Sequence, residues 1–215
     1  MRSLSARSLR LFRDRLASVP RALPPAARVL YAHTGDVAVL HDGASVTVQA
    51  DSAWYGAGAC AMCARDSAAT VLRWELVRPE TSRDGTPVLE QTIELADGAA
   101  WLIRCDRVDF DPGGMALPHR HRGGGIRCLI AGALEVTVGD EPPRSVGPGG
   151  AWFESGLEPV LARASASEPT SFIRVSILPA EIRGQSSIMY VDPADAARGR
   201  PRRYTVWVDA PIAPA

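Results

Sequence analysis

The sequence predicts an all-β fold built twice from one small unit, and three observations carry that prediction. First, the apolar runs are short, and 19 Gly and 17 Pro supply turns between them. Second, the runs fall into two matching series. Thr34-Gly35 answers Ala131-Gly132 at an offset of 132 − 35 = 97, and Trp54-Tyr55 answers Trp152-Phe153 at 152 − 54 = 98. Val71-Leu-Arg-Trp-Glu-Leu76 answers Phe172-Ile-Arg-Val-Ser-Ile177 as a closing strand. Third, a repeat of this length is a whole small domain rather than a solenoid unit.

The elements follow in order. Residues 1–16, MRSLSARSLRLFRDRL, are rich in Arg and Ser, as organellar transit peptides are. The preferred reading is an amphipathic helix with Leu9, Phe12 and Leu16 on one face. Pro20-Arg-Ala-Leu-Pro-Pro25 is expected to break regular structure. Short strands are then expected at 28–32, 37–40, 46–48 and 53–55, a turn-rich stretch at 56–66, and a strand at 70–77. A polar connector over 78–87 leads to the second series, at 88–95, 100–110, 126–130, 134–138, 152–154 and 171–178. Tyr204-Thr-Val-Trp-Val208 is a further strand in the tail, placed against the other unit or a partner subunit.

The chemistry concentrates in FDPGGMALPHRHRGGGIRCLIAGALEVTVGD, from Phe110 to Asp140. His119 and His121 are two residues apart, so a strand presents both imidazoles on one face, where they suit a metal such as Zn, Fe or Ni. Gly113, His119, His121, position 125 and Gly132 reproduce the spacing G-x5-H-x-H-x3-E-x6-G. In this the stretch resembles the first signature of the cupin family. The glutamate position is Gly125, so one of the family's metal ligands is missing. The family's second signature, G-x5-P-x-G-x2-H, is matched by Gly149 to Val160 with one residue fewer, and Pro159 stands where its histidine would be. The resemblance implies two tandem cupin-type barrels (jelly-roll, or double-stranded β-helix). Counting back from Gly35 puts Ala22 and Pro24 in the places of His119 and His121, so the first copy lacks the ligands and is the degenerate one.

Glu154 is the substitute ligand, two residues from Trp152 and on its face. Two histidines and a carboxylate make a facial site with open positions, whereas an ion pair of Glu154 with Arg127 or Arg174 is the competing arrangement. Arg127, two residues after Gly125, points to the barrel interior. There it needs a carboxylate partner or an anionic ligand. The glycine run that ends at Gly125 lets a substrate approach the backbone.

Lys+Arg and Asp+Glu are both 24, and this zero net charge argues against nucleic-acid binding. No apolar run is long enough to span a membrane, and no signal-peptide core is present, so a cytoplasmic location is expected. Cys60-Ala-Met-Cys63 is a lone C-x-x-C, and Cys60, Cys63, Cys105 and Cys128 are expected as free thiols.

The expected organisation is a helix and linker (1–25), a degenerate cupin (26–80), a cupin with the H-x-H motif (81–180) and a C-terminal extension (181–215). The expected function is a metal-dependent enzyme acting on a small anionic or oxygen-rich molecule as a homodimer. The cupin resemblance implies chemistry of dioxygenase, isomerase or lyase type. His119, His121 and Glu154 hold Fe, Mn, Zn or Ni, Glu154 and Arg127 are catalytic, and Arg127, Trp152 and Gly125 bind substrate. The alternative is a non-catalytic binding or sensing cupin that has lost metal chemistry.

Overall fold

The computed structural model describes residues 3–198 and 202–212. Chain contacts divide it into two units, the first running to Ala99 and the second from Ala100 to Pro211. The first holds β1 (Leu4–Leu16), β2 (Arg21–Thr34), β3 (Val37–His41), β4 (Ala44–Val48), β5 (Ser52–Ala64), β6 (Ala69–Val77) and β7 (Leu89–Ala96). They form a seven-stranded sheet in the order β4-β3-β5-β2-β6-β1-β7.

Three expectations need correction here. The N-terminal segment is the strand β1, not a helix. Leu9, Phe12 and Leu16 fit a helical face, but from Phe12 onward burial alternates, with Asp14 and Leu16 buried and Arg13 and Arg15 exposed. β1 is hydrogen-bonded to β6 on one side and β7 on the other. That double pairing outweighs a weak helical pattern. The prolines do not interrupt β2 either: the register with β5 skips between Leu23 and Ala26, so Pro24 and Pro25 sit in a bulge where no ladder donor is needed. Finally, because β7 pairs with β1, the division falls after Ala99, whereas the sequence reading divided the chain at 80/81.

Residues 56–64 of the expected turn region are the second half of β5. Cys60 and Cys63, three apart on that strand, face opposite sides, and all four cysteines are free.

The second unit contains β8 (Trp101–Phe110), β9 (Met115–His121), β10 (Gly125–Ala131), β11 (Leu134–Val138), β12 (Arg144–Val146), β13 (Ala151–Glu154), β14 (Val160–Ala164), β15 (Thr170–Pro179), β16 (Ile188–Tyr190) and β17 (Arg202–Pro211). They make two five-stranded sheets, β13-β10-β15-β8-β17 and β12-β11-β14-β9-β16. Their facing sides enclose a core that includes Val108, Phe110, Leu129, Val136, Trp152, Val160 and Phe172. The tail strand β17 pairs with β8 of its own unit rather than leaving it.

Strand pairings repeat between the units. Arg127 opposes Trp152 and Arg174, as Leu30 opposes Trp54 and Arg73. Gly125 opposes Glu154 and Ser176, as Arg28 opposes Gly56 and Glu75. In the first unit β2 and β5 are long enough to serve in both halves, where the second unit uses β9 with β10 and β13 with β14.

Candidate functional site

The histidines reach the interior through a local irregularity in β9. Val160 and Ala162 of β14 are two residues apart, yet they oppose His119 and Ala116, which are three apart. The extra residue lies at Leu117-Pro118, and it reverses the face of everything after it. Ala116 is inward before the bulge, and His119 and His121 are inward after it, each 5 % exposed. Without the bulge both imidazoles would face away from the core.

The two rings meet edge-on, with Nε2 of His119 3.2 Å from Nε2 of His121. His119 Nδ1 lies 2.7 Å from the Leu117 carbonyl, which fixes the proton on Nδ1 and leaves Nε2 with a free lone pair. Nδ1 of His121 is 3.3 Å from Ser187 Oγ. Burial lowers the pKa of His119 and pushes that of His121 down to about 3, so both rings are neutral at neutral pH.

Glu154, on β13 in the opposite sheet, comes within 3.3 Å of His121 Nε2. Its Oε1 accepts a 2.8 Å hydrogen bond from Trp152 Nε1. Its Oε2 is 2.7 Å from Arg127 Nη2, but the contact is poorly aligned, and neither atom completes a hydrogen bond. Arg127 is held by its own strand, with Nη1 donating to the Gly125 carbonyl at 2.5 Å. Burial brings the Arg127 pKa down to about 10, so the guanidinium stays charged. Burial alone would raise the Glu154 pKa; Arg127, His121 and Trp152 reverse it and hold the carboxylate ionised. Arg174 pairs with Asp106 through two bonds of 2.9 and 2.6 Å and is not a partner of Glu154.

Gly125 contributes space rather than contact. A Cβ there would lie 2.3 Å from the Val175 carbonyl oxygen and 2.8 Å from Ser176 Cα, so β15 passes too close for any side chain. The missing family glutamate is therefore excluded by packing.

His119, His121, Arg127, Trp152, Glu154 and Arg174 line a small cleft that opens to solvent, and Gly125 is not part of its lining. Val108, Phe110, Ala116, Val160, Ala162, Phe172 and Ile188 form the apolar walls, and Arg202 and Tyr204 of β17 complete the polar lining. Sequence reasoning missed Arg202 and Tyr204. Arg202 opposes Phe110 and Tyr204 opposes Val108, both core residues, and no local sequence pattern marks those pairings.

A divalent metal of the kind the family signature implies finds two converging imidazole nitrogens here, and a third donor is not free. Glu154 is engaged by Arg127 and Trp152, positions 125 and 159 carry no donor, and a dication would join three buried arginines, Arg127, Arg174 and Arg202. Among the described residues no group of three or more His, Cys, Asp or Glu is gathered to hold a metal ion. The donor set does not fit a resident metal centre.

No protein-family model and no curated protein matches the sequence. Solved structures do match. A cupin 2 conserved barrel domain protein from Leptotrichia buccalis is 16% identical, with 82% of this chain and 89% of that chain covered at a TM-score of 0.50. The chain has the cupin fold. Oxalate decarboxylase from Lactobacillus farciminis, solved as a formate complex, is 13% identical over 91% of this chain and 79% of its own, at a TM-score of 0.60. The coconut allergen cocosin is 10% identical over 85% of this chain and 79% of its own, at 0.62. An enzyme and an 11S globulin thus share this chain's architecture, and the fold leaves the function to the site.

Proposed function

We propose that this chain is a tandem cupin whose second unit binds a small anionic molecule without a resident metal, its first unit serving as scaffold. The observation that carries this reading is the convergence of buried His119, His121, Arg127 and Glu154 in a cavity with apolar walls. A few placed polar groups in an apolar cleft are the ordinary build of a small-molecule site. The corresponding interior of the first unit is filled by its own charges. Arg28 and Arg73 share Glu75 at 2.7 Å each, Arg73 also bonds Asp14 at 2.6 Å, and Arg21 bridges Asp14 to Asp84 at 2.8 Å on each side. Gly56 stands where the second unit has Glu154, and the Trp54 ring occupies the space a side chain there would need.

A second reading is favoured by the 3.2 Å approach of two neutral Nε2 atoms: a metal-dependent enzyme in which His119 and His121 bind the ion and Glu154 leaves Arg127 to join them. Elemental analysis of protein purified without chelator separates the two. The binding reading predicts metal far below one equivalent, and the same in the His119→Ala/His121→Ala variant. One equivalent in the wild type, lost in the variant, would establish the metal enzyme instead.

A further inference from the structure

Four buried or pocket-facing charges line the cavity of the second unit, and three of them are matched. Arg127 is paired with Glu154 at 2.7 Å, and Arg174 with Asp106 at 2.6 Å. The fourth is Arg202, only 7 % exposed. Among the described residues it has no carboxylate partner. Its contacts are to neutral oxygens: Tyr204 Oη, Tyr190 Oη at 3.1 Å, and the Met115 carbonyl at a marginal 3.5 Å. Of the three arginines in the lining, Arg202 is thus the one that faces no carboxylate among the described residues. A guanidinium buried without a counter-ion is costly, and a bound anion removes that cost.

From this we infer that Arg202 and Tyr204 of β17 are the ligand-recognition pair, and that the ligand is a small organic monocarboxylate. One arginine that faces no carboxylate among the described residues matches one carboxylate, and the planar fork of arginine suits a carboxylate geometrically. Arg202 Nε donates to the Tyr204 oxygen, which leaves the phenol's own proton free to donate to the ligand. Val108, Phe110, Val160 and Phe172 give the rest of the molecule an apolar wall, which an inorganic anion would not use. Arg127, already neutralised, positions Glu154 rather than binding the anion.

The inference rests on the second-unit cavity being the ligand site, and the experiment keeps the two apart. Acetate, propionate and butyrate, the neutral butyramide, and inorganic phosphate are titrated into the full chain, followed by thermal stability and calorimetry. The carboxylates should bind and stabilise, and butyramide and phosphate should not. Arg202→Gln should weaken carboxylate binding by about thirtyfold or more, the scale for losing one partner of a buried charge pair. Arg202→Lys, which keeps the charge, should retain part of it. Arg203→Gln, on the exposed side of the same strand, should change nothing. If Arg202→Gln fails to fold, Tyr204→Phe and Arg202→Lys carry the test: carboxylate affinities unchanged in both would overturn the pair's role. Butyramide binding as well as butyrate would leave the cavity a ligand site and refute recognition by Arg202. No binding of any probe to the wild type would overturn both.

Discussion

At the scale of single residues, Arg127 and Glu154 keep each other affordable. Each is almost wholly buried, and among the described residues neither has another opposite charge within ion-pair distance, His121 beside Glu154 being neutral. Breaking such a pair by removing one partner typically costs about 3–5 kcal/mol, because the other is left charged in a low-dielectric interior. Arg127→Met should therefore lower the unfolding free energy by roughly that amount in urea titrations, and Arg127→Met/Glu154→Gln should recover most of it. A variant as stable as the wild type would show that the pair is not formed. Arg127 was legible as an inward arginine because strand parity is a local rule. Its partner was not, since a protein carboxylate and an external anion satisfy the same requirement on paper, and Glu154 had Arg174 as a second candidate.

At the scale of elements, the close passage of β10 against β15 decides what the site can contain. A side chain at position 125 meets the β15 backbone, which cannot yield as a flexible side chain would. Gly125→Ala should destabilise the protein by about 1–3 kcal/mol, the usual cost of forcing atoms into a packed interior. A neutral or stabilising result in thermal denaturation would show that the strands can part, and would reopen the glutamate position. The H-x-H pair and the motif spacing were readable because both histidines lie on one short strand. The bulge that turns them inward was not, because Leu117-Pro118 carries no signal distinguishing a bulge from a turn. The same limit explains β1. Its apolar positions satisfy a helical period, and only its partners β6 and β7, distant in sequence, make it a strand. Arg202 was hidden for a related reason, since nothing local tells which core the tail strand joins.

At the scale of the whole molecule, corresponding strand pairings carry opposite fillings in the two units. The first unit packs Leu16, Leu30, Val39, Met62 and Val71 around a closed ionic network. The second keeps a cavity in which one arginine lacks a carboxylate partner among the described residues. The repeat was legible as an offset of 97 or 98 residues, because turn glycines and paired aromatics recur with it. That the first interior is filled by charges rather than merely lacking ligands was not, since Asp14, Arg28, Arg73 and Glu75 come from three strands. The account therefore turns on binding stoichiometry. Calorimetric titration of the full chain with the best-binding short carboxylate should saturate at one ligand per chain, with the same protein free of stoichiometric metal. Two ligands per chain would contradict the filled first unit, and no carboxylate binding beside one tightly held metal per chain would contradict the central claim.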